Sequence, residues 1–171
     1  EGGVRKMLDE VRLKIPDVAL RTTFITGFPG ETDVHFQHTV RFLCEMEFDH
    51  VGIFTYSDEE GTTAYDYPGR IPQEVKEERK NILMEFQKDI ALRKNRERLG
   101  KVEPVLVEGF DPQENYLMTG RLTSQAPDID GQVLLEKCEA EPGQIISAEI
   151  KQVADYDLIA EPVQMPVSHE S

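Results

Sequence analysis

The amino-acid sequence predicts an α/β domain followed by a small all-β domain. As far as Gly100, segments with the periodicity of strands alternate with segments that have the periodicity of helices, an order typical of parallel strands joined by helices. Beyond Gly100, short apolar segments are separated by turn residues, which predicts a five-stranded barrel of the OB type. We therefore expect domains at residues 1–99 and 100–162, followed by a disordered tail at residues 163–171.

The first domain is expected to begin with a helix and to continue with a strand, a helix and a second strand. Apolar residues on one face predict a helix over residues 4–15, and the β-branched segment RTTFIT predicts a strand over residues 21–26. A helix is expected over residues 32–47 and a strand over residues 51–56. Two strands connected through a helix are expected to be parallel, with a right-handed crossover. This is the repeat of an α/β barrel or of an open α/β sheet.

A long helix is predicted over residues 72–99, where Pro72 and Gly100 mark its start and its stop. The apolar stripe expected to face the core contains Val75, Ile82, Leu83, Phe86 and Ile90. Acidic residues lie near the beginning and basic residues near the end, as the helix dipole favours. The dipole thus explains the basic cluster at the end, which comprises Arg93, Lys94, Arg96 and Arg98.

The second domain is expected to contain short antiparallel strands. The segments predicted as strands are residues 105–108, 116–122, 132–136 and 144–153. Turn residues separate them, for example Pro142 and Gly143. In the last segment, Ile146, Ala148 and Ile150 alternate with polar residues, the pattern of a half-buried strand.

Composition and charge narrow the classes of function. The chain carries 33 acidic and 19 basic residues, a formal net charge of −14, which opposes binding to nucleic acid and favours a basic protein partner. A surface kept soluble by its acids is the alternative that charge alone leaves open. No segment approaches the roughly 18 apolar residues of a membrane span, so we expect a cytoplasmic protein without a membrane partner. The lack of an initiator Met, with a helical pattern already at Val4, leads us to expect a truncated protein.

The cysteines and histidines predict no metal site within this chain. Cys44 and Cys138 are too few and too far apart for a disulfide framework or a ligand cluster, and we expect both to be reduced. His35 and His38 lie three residues apart on a predicted helix. Neither histidine has a cysteine or a carboxylate at the spacing of a metal-ligand set.

Two loops follow the predicted parallel strands, at the strand ends where α/β folds bind ligands. In residues 27–32 (GFPGET), the glycines allow close approach of a cofactor, and Thr32 can cap a helix whose free N–H groups suit an anion. A tight turn followed by a cap is the alternative interpretation. Residues 56–62 (YSDEEGT) offer an aromatic ring, a hydroxyl and three carboxylates. Paired carboxylates can transfer protons, but consecutive ones in a loop are usually solvated.

Several segments, in their order and spacing, resemble the radical-SAM methylthiotransferases. Residues 22–32 (TTFITGFPGET) and 48–65 (FDHVGIFTYSDEEGTTAY) resemble the closing part of that family's α/β, TIM-like barrel. The long helix and the strand-rich end resemble the family's linker and its TRAM domain. Gly120-Arg121 and residues 125–131 (QAPDIDG) resemble the branch that acts on ribosomal protein uS12 more than the branch that acts on tRNA. The resemblance extends over residues 20–161.

The resemblance implies a reaction that depends on S-adenosylmethionine and two 4Fe–4S clusters. In the family, one reduced cluster cleaves adenosylmethionine to a deoxyadenosyl radical, which removes hydrogen from the β-carbon of an aspartate in uS12. A methylthio group carried at the second cluster is then installed. Family members hold the clusters with a CxxxCxxC motif and with cysteines of an N-terminal domain, and this sequence contains neither. The chain alone is therefore expected to be inactive.

The resemblance also implies cofactor-binding residues. Ile25, Gly27 and Glu31 correspond to the family's strand and loop beside adenosylmethionine, and Tyr56 and Ser57 correspond to the next strand end. Their expected roles are packing and backbone contacts, not proton transfer. We predict no catalytic residue in this chain.

Charge separates the two branches of the family. Residues 101–161 contain four basic and thirteen acidic residues, a net charge of −9, which suits a basic ribosomal protein better than phosphates. Asp128 and Asp130 of the QAPDIDG segment are therefore predicted to bind the protein substrate. A fragment of a tRNA methylthiotransferase and a non-catalytic TRAM binding protein are the two alternatives.

Overall fold

The structure, a computed structural model, describes residues 2–110, 117–127 and 129–163. The chain divides into two compact units, Glu1–Ala91 and Leu92–Ser171. The tail predicted over residues 163–171 lies outside the described residues except for Val163. Among the described residues, no helix is both long enough and apolar enough to cross a bilayer.

The first unit contains two parallel strands and the helices that flank them. Its elements are α1 (Gly2–Lys14), β1 (Arg21–Thr26), α2 (Asp33–Met46), β2 (His50–Thr55), a short 3-10 helix (Thr63–Asp66) and the first part of α3 (Gln73–Arg96). β1 and β2 pair in parallel, with Ile25 opposite Phe54. The predicted strand, helix, strand unit is confirmed.

An aromatic group packs α2 against one face of the sheet. The rings of Phe24, Phe42 and Phe48 meet edge to face, with centroids 5.8 to 6.3 Å apart, the geometry that aromatic pairs prefer. Leu43 of α2 and Leu83 of α3 are fully buried in the same core. The apolar positions of α2 and β1 therefore produce the packing that their periodicity predicts.

The buried face of α3 is more polar than the predicted apolar stripe. Phe86, a member of that stripe, is exposed. Lys76, Arg79 and Gln87 are buried instead. The Gln87 amide donates to the carbonyl oxygen of Phe48 at 3.1 Å, which shows why a polar side chain is retained there: buried carbonyl groups need donors.

The second unit is built around a closed barrel of five strands. The strands are β3 (Val102–Phe110), β4 (Met118–Leu122), β5 (Val133–Leu135), β6 (Ile145–Ala154) and β7 (Asp157–Pro162), and they close in the order β3-β4-β5-β7-β6. β5 and β7 pair in parallel, and the other neighbours are antiparallel. The predicted five-stranded barrel is confirmed, and β7 is the strand that the sequence prediction does not locate.

Alternating side chains fill the barrel. The buried apolar residues are Val105, Val107, Met118, Leu122, Val133, Leu135, Ala148, Ile150, Leu158 and Ala160. They occur at every second position of most strands, so that their neighbours in the sequence point away from the core. The small residues Ala148 and Ala160 belong to adjacent strands, β6 and β7, where a narrow barrel has least room.

Candidate functional site

The two predicted loops begin at the same edge of the β1–β2 sheet. Because the strands are parallel and Thr26 is paired with Thr55, both chain segments leave the sheet side by side. The pairing extends by one residue, since the Tyr56 N–H donates to the carbonyl oxygen of Thr26 at 2.8 Å. Gly27 and Tyr56 therefore start their loops as neighbours, at the type of edge where parallel folds bind ligands.

Two features of the backbone at position 27 require glycine there. Its φ is +73°, in the left-handed region that side chains disfavour. A Cβ at this position would also lie 2.3 Å from Cγ of Lys76. The Gly27 N–H donates to Oε2 of Glu31 at 3.2 Å, so that the Glu31 side chain closes the loop back on its first residue.

The Arg79 guanidinium holds the far end of the first loop. It donates to Oε1 of Glu31 at 2.5 Å and to Oδ1 of Asp33 at 2.7 Å, although Arg79 is only 6% exposed. Glu31 therefore gives one oxygen to Arg79 and the other to Gly27. A carboxylate engaged on both oxygens fixes the shape of the loop.

Thr32 ends this loop and starts α2 through a reciprocal cap. The His35 N–H donates to the Thr32 hydroxyl oxygen, and the Thr32 N–H donates to Nδ1 of His35, both at 3.3 Å. The predicted helix cap at Thr32 is confirmed. A histidine takes the position that Glu or Gln occupies in the usual capping box.

Lys76 holds the start of the second loop. Its Nζ donates to the carbonyl oxygen of Tyr56 at 2.9 Å and lies 5.2 Å from the centre of the Tyr56 ring, within the range of a cation–π contact. The Thr26 hydroxyl donates to the carbonyl oxygen of Lys76 at 3.2 Å. Neither Lys76 nor Arg79 is among the predicted site residues. Both lie on a helix rich in charged residues, where a basic side chain is expected to be exposed to solvent.

Tyr56 packs into an aromatic group beside the first loop. The ring of Phe28 meets Tyr56 and Tyr67 edge to face, at centroid distances of 5.2 and 6.0 Å. The Tyr56 hydroxyl is shielded from solvent and has no hydrogen-bond partner in the part of the chain that the structure describes. Buried hydroxyl groups normally have a partner, so this one is an unsatisfied polar group beside the first loop.

The sheet face that does not pack on helices carries exposed apolar side chains near the loops. Ile25 is 57% exposed and Phe54 is 60% exposed, and they lie opposite one another in neighbouring strands. Single exposed apolar residues are ordinary on protein surfaces. Two such side chains next to one another on one sheet face offer an apolar surface on which the ring of a bound molecule can pack.

The carboxylates of the second loop do not converge on one point. Asp58 pairs with Arg70 at 3.3 Å, and Glu59 accepts a hydrogen bond from the Ser57 hydroxyl at 3.1 Å. Glu60 is exposed. The loop therefore has the geometry of solvated carboxylates and not that of an acid–base pair.

Ion pairs occupy most of the basic side chains of the barrel. Arg121 pairs with Glu108 at 2.7 Å, and Lys137 pairs with Glu161 and Lys151 with Glu149, both at 2.5 Å. The hydrogen bond within the second pair raises the pKa of Lys137 and lowers the pKa of Glu161. Three of the four basic residues in residues 101–161 are thus paired with glutamates.

The QAPDIDG segment contains residues with internal contacts. The Asp130 carboxylate accepts a hydrogen bond from the Ala126 N–H at 2.7 Å, which closes a turn. A Cβ at Gly131 would lie 2.0 Å from the carbonyl oxygen of Tyr156, so only glycine fits. Asp128, the other predicted substrate-binding residue, lies outside the described residues.

Metal ligands do not come together in the described part of the chain. Within residues 2–110, 117–127 and 129–163, no group of three or more His, Cys, Asp or Glu residues is arranged to hold a metal ion. Cys44 and Cys138 are free and half-buried. Burial, and to a smaller extent the Glu47 carboxylate, raises the pKa of Cys44.

Comparison with known proteins places the barrel in a defined class. Residues 99–163 match the family model described as the TRAM domain. This range covers the closed barrel β3–β7. Residues 99–163 are therefore a TRAM domain.

Similarity to known proteins is not confined to the barrel and includes the first unit. The ribosomal protein uS12 methylthiotransferase RimO of Syntrophotalea carbinolica is 46% identical over 161 residues, which are 94% of this chain and 35% of that protein. The RimO proteins of Thermosynechococcus vestitus and Natranaerobius thermophilus are 47% and 44% identical, over 90% and 92% of this chain. The chain is therefore similar to RimO methylthiotransferases over 90 to 94% of its length. It spans about one third of the length of these relatives, 34 to 36%.

Proposed function

We propose that this chain is the C-terminal part of an enzyme that methylthiolates an aspartate of ribosomal protein uS12. The observation that carries the proposal is the similarity to RimO proteins, which includes both the first unit and the TRAM domain at 44 to 47% identity. A protein that shared only its TRAM domain would not match over 90 to 94% of this chain. This favours an enzyme fragment over a non-catalytic TRAM binding protein.

The first unit would contribute one side of an adenosylmethionine site. Bound adenosylmethionine supplies the radical chemistry of the reaction. Ile25 fits an apolar contact, because its side chain is exposed beside Phe54 at the open sheet face. Gly27 fits a close backbone approach, because it has no side chain, and Tyr56 fits a packing contact through its ring; both residues start loops at the strand edge. Ser57 would contribute through its backbone, as its hydroxyl is bound to Glu59.

Glu31 would act by shaping the loop. Its two carboxylate oxygens are engaged by Arg79 and by the Gly27 N–H, so that neither is directed at a ligand. A contact between Glu31 and adenosylmethionine would require breaking an ion pair that is almost fully buried. We therefore assign Glu31 to the support of Gly27, the residue that would meet the cofactor.

The two 4Fe–4S clusters would be held by cysteines that this sequence does not contain. Its two cysteines, Cys44 and Cys138, belong to different units and do not fit a cluster that needs three or four thiolates. The residues of this chain would bind and orient adenosylmethionine and the protein substrate, in the cytoplasm of the cell.

The TRAM domain would dock the basic uS12 protein. Within residues 101–161 the acids exceed the bases by nine charges, and three of the four bases are already paired with glutamates. Glu139 and Glu141, in the loop before β6, are exposed. Exposed acids of this kind attract a cationic polypeptide and repel phosphates.

A tRNA methylthiotransferase is the second candidate, and one observation favours it. The last turn of α3 carries Arg93, Lys94 and Arg96, which makes a basic patch outside the barrel. The helix dipole already accounts for basic residues at this end, and Arg93 and Lys94 have interaction partners. We therefore prefer the protein substrate.

The two candidates are separated by a binding comparison. The chain is titrated with purified uS12 and with a tRNA anticodon stem-loop, at low and at physiological salt. We expect binding to uS12, weakened about tenfold by Glu139→Lys combined with Glu141→Lys, because reversed rim charges repel a basic partner. Asp9→Lys with Asp17→Lys is the matched control, since it changes the net charge equally at exposed positions of the first unit.

The possible results of this binding comparison lead to different conclusions. Equal losses in the two double variants would show that only net charge matters and would remove the docking role of the barrel. Salt-sensitive binding to the stem-loop without binding to uS12 would establish the tRNA enzyme instead. Asp130 is left unchanged because its carboxylate holds the turn at Ala126, and its reversal would alter the fold as well as the charge.

A further inference from the structure

Lys76 is a buried cation that contacts both predicted cofactor loops. The residue is only 7% exposed. Its aliphatic part occupies the space beside Gly27, 2.3 Å from where a Cβ would lie, and its ammonium donates to the carbonyl oxygen of Tyr56. One residue of α3 therefore sets the position of the first residue of one loop and of the first residue of the other.

The ammonium has an unusual environment for a buried charge. Within the part of the chain that the structure describes, its partners are the carbonyl oxygen and the ring of Tyr56. The neighbouring cation on the same helix face, Arg79, is paired with the carboxylates of Glu31 and Asp33. Burial of a charge without a carboxylate is costly. A neutral side chain of the same length would fill the same space at a lower desolvation free energy.

A hydrogen bond from the Thr26 hydroxyl to the Lys76 carbonyl oxygen fixes the backbone of Lys76. The Thr26 hydroxyl, which is almost fully buried, donates to the carbonyl oxygen of Lys76 and also approaches the carbonyl oxygen of Phe54. This joins α3 to the last residue of β1. The position of the ammonium is therefore determined by the sheet whose edge carries the two loops.

We infer that Lys76 is a positioning residue for adenosylmethionine, acting through the carbonyl group and ring of Tyr56. This rests on the proposed function of the strand edge as a cofactor site. The charge holds the Tyr56 carbonyl toward α3 and orients the ring, whose buried hydroxyl has no hydrogen-bond partner among the described residues. Removing the charge while keeping the aliphatic stem frees the second loop and leaves the packing at Gly27 unchanged.

The test compares Lys76→Met with Lys80→Met in the full-length, cluster-loaded enzyme. Lys80 lies one turn further along α3 and pairs with Glu77 near the surface, at 3.8 Å, so it controls for the loss of a lysine. The measurements are the dissociation constant of adenosylmethionine by equilibrium dialysis, its KM and kcat, and the thermal unfolding midpoint. For Lys76→Met we expect binding at least tenfold weaker, a raised KM with little change in kcat, and an unfolding midpoint that is not lowered.

The affinity for adenosylmethionine and the unfolding midpoint of Lys76→Met together test the role of Lys76. Binding by Lys76→Met within twofold of the unmodified enzyme overturns it, and so does weaker binding that is matched by a lowered unfolding midpoint. If the unmodified enzyme does not bind adenosylmethionine, the proposed function itself fails, which is a different result. Should Lys76→Met not fold, Lys76→Gln decides in the same way, because it keeps an N–H donor but carries no charge.

Discussion

The Arg79 guanidinium and the Glu31 carboxylate form an ion pair of 2.5 Å whose side chains are 7% and 13% exposed. The same guanidinium donates to the carbonyl oxygen of Glu31 at 3.3 Å. Because the second oxygen of Glu31 accepts from Gly27, the pair connects α3 to both ends of the loop that follows β1. This buried charge pair is therefore one of the contacts that stabilise the loop.

Arg79→Met is expected to destabilise the first unit by about 3–5 kcal/mol, because it leaves the Glu31 carboxylate buried without its partner. Urea unfolding monitored by circular dichroism measures the change. Arg41→Met in α2 is the control, since Arg41 is exposed and its replacement should alter stability by less than about 0.5 kcal/mol. Arg79→Met combined with Glu31→Gln should recover part of the loss, since the unpaired charge is then removed.

Equal effects of Arg79→Met and Arg41→Met would contradict the assignment of Glu31 to loop support. Arg79→Lys is informative as well. A single ammonium cannot reproduce the fork that reaches both Glu31 and Asp33, so we expect an intermediate loss of stability.

Gly131→Ala is expected to destabilise the TRAM barrel by at least about 2 kcal/mol, because the new methyl group would lie 2.0 Å from the Tyr156 carbonyl oxygen and would force the backbone to shift. Gly109→Ala in β3 is the matched control. A Cβ there meets nothing within 4 Å, so its effect should stay within about 0.5 kcal/mol. Thermal unfolding of the two variants, followed by circular dichroism, makes the comparison, and equal unfolding midpoints would rule out the steric explanation for this glycine.

Cys44 is expected to react slowly with iodoacetamide in the folded chain. The thiolate is the reactive form, and burial together with Glu47 raises the Cys44 pKa. At about pH 8.5, near the ordinary thiol pKa, native Cys44 should therefore be labelled several-fold more slowly than in urea. Mass spectrometry of the peptide that contains Cys44 measures both rates.

Glu47→Gln supplies the control for Cys44. It removes the electrostatic part of the pKa shift, so native labelling should become faster while labelling in urea stays the same. Because burial is the larger cause, the increase should recover only part of the difference. A native rate equal to the rate in urea would show that the thiol is not shielded.

Local signals in the sequence were sufficient for most of the secondary structure. The segment RTTFIT predicts the bounds of β1 correctly, and Thr32 predicts the start of α2, because strand propensity and helix capping depend on nearby residues. The parallel pairing of β1 and β2 also follows, since a helix separates them.

Contacts between distant residues were not predictable in the same way. Lys76 and Arg79 have the residue types of a solvated helix surface, and only the return of α3 to the strand edge buries them. β7 follows β6 after a tight turn with Asp155 at φ +53°, and no glycine or proline marks that turn in the sequence. The internal role of Asp130 likewise depends on the turn that it closes.

Gly27 and Lys76 are expected to be energetically coupled. Gly27→Ala introduces two costs: about 1–2 kcal/mol for a side chain in the left-handed region, and about 1–3 kcal/mol for the overlap with the Lys76 stem. Lys76→Ala removes the Cγ atom that lies 2.3 Å from the added Cβ. In that background Gly27→Ala should cost only the backbone strain, because the overlap is largely absent.

A double-mutant cycle of these two substitutions, measured by urea unfolding, should therefore give a coupling energy of about 1–3 kcal/mol. Gly30→Ala with Lys76→Ala is the control cycle. Gly30 also has a positive φ, +82°, but a Cβ there meets nothing within 4 Å, so the two changes should be additive within about 0.5 kcal/mol. If the two changes are additive in the Gly27 cycle, the loop can move away from α3 without a loss in the free energy of unfolding. The packing of the Lys76 stem could then not be what holds the first loop in place.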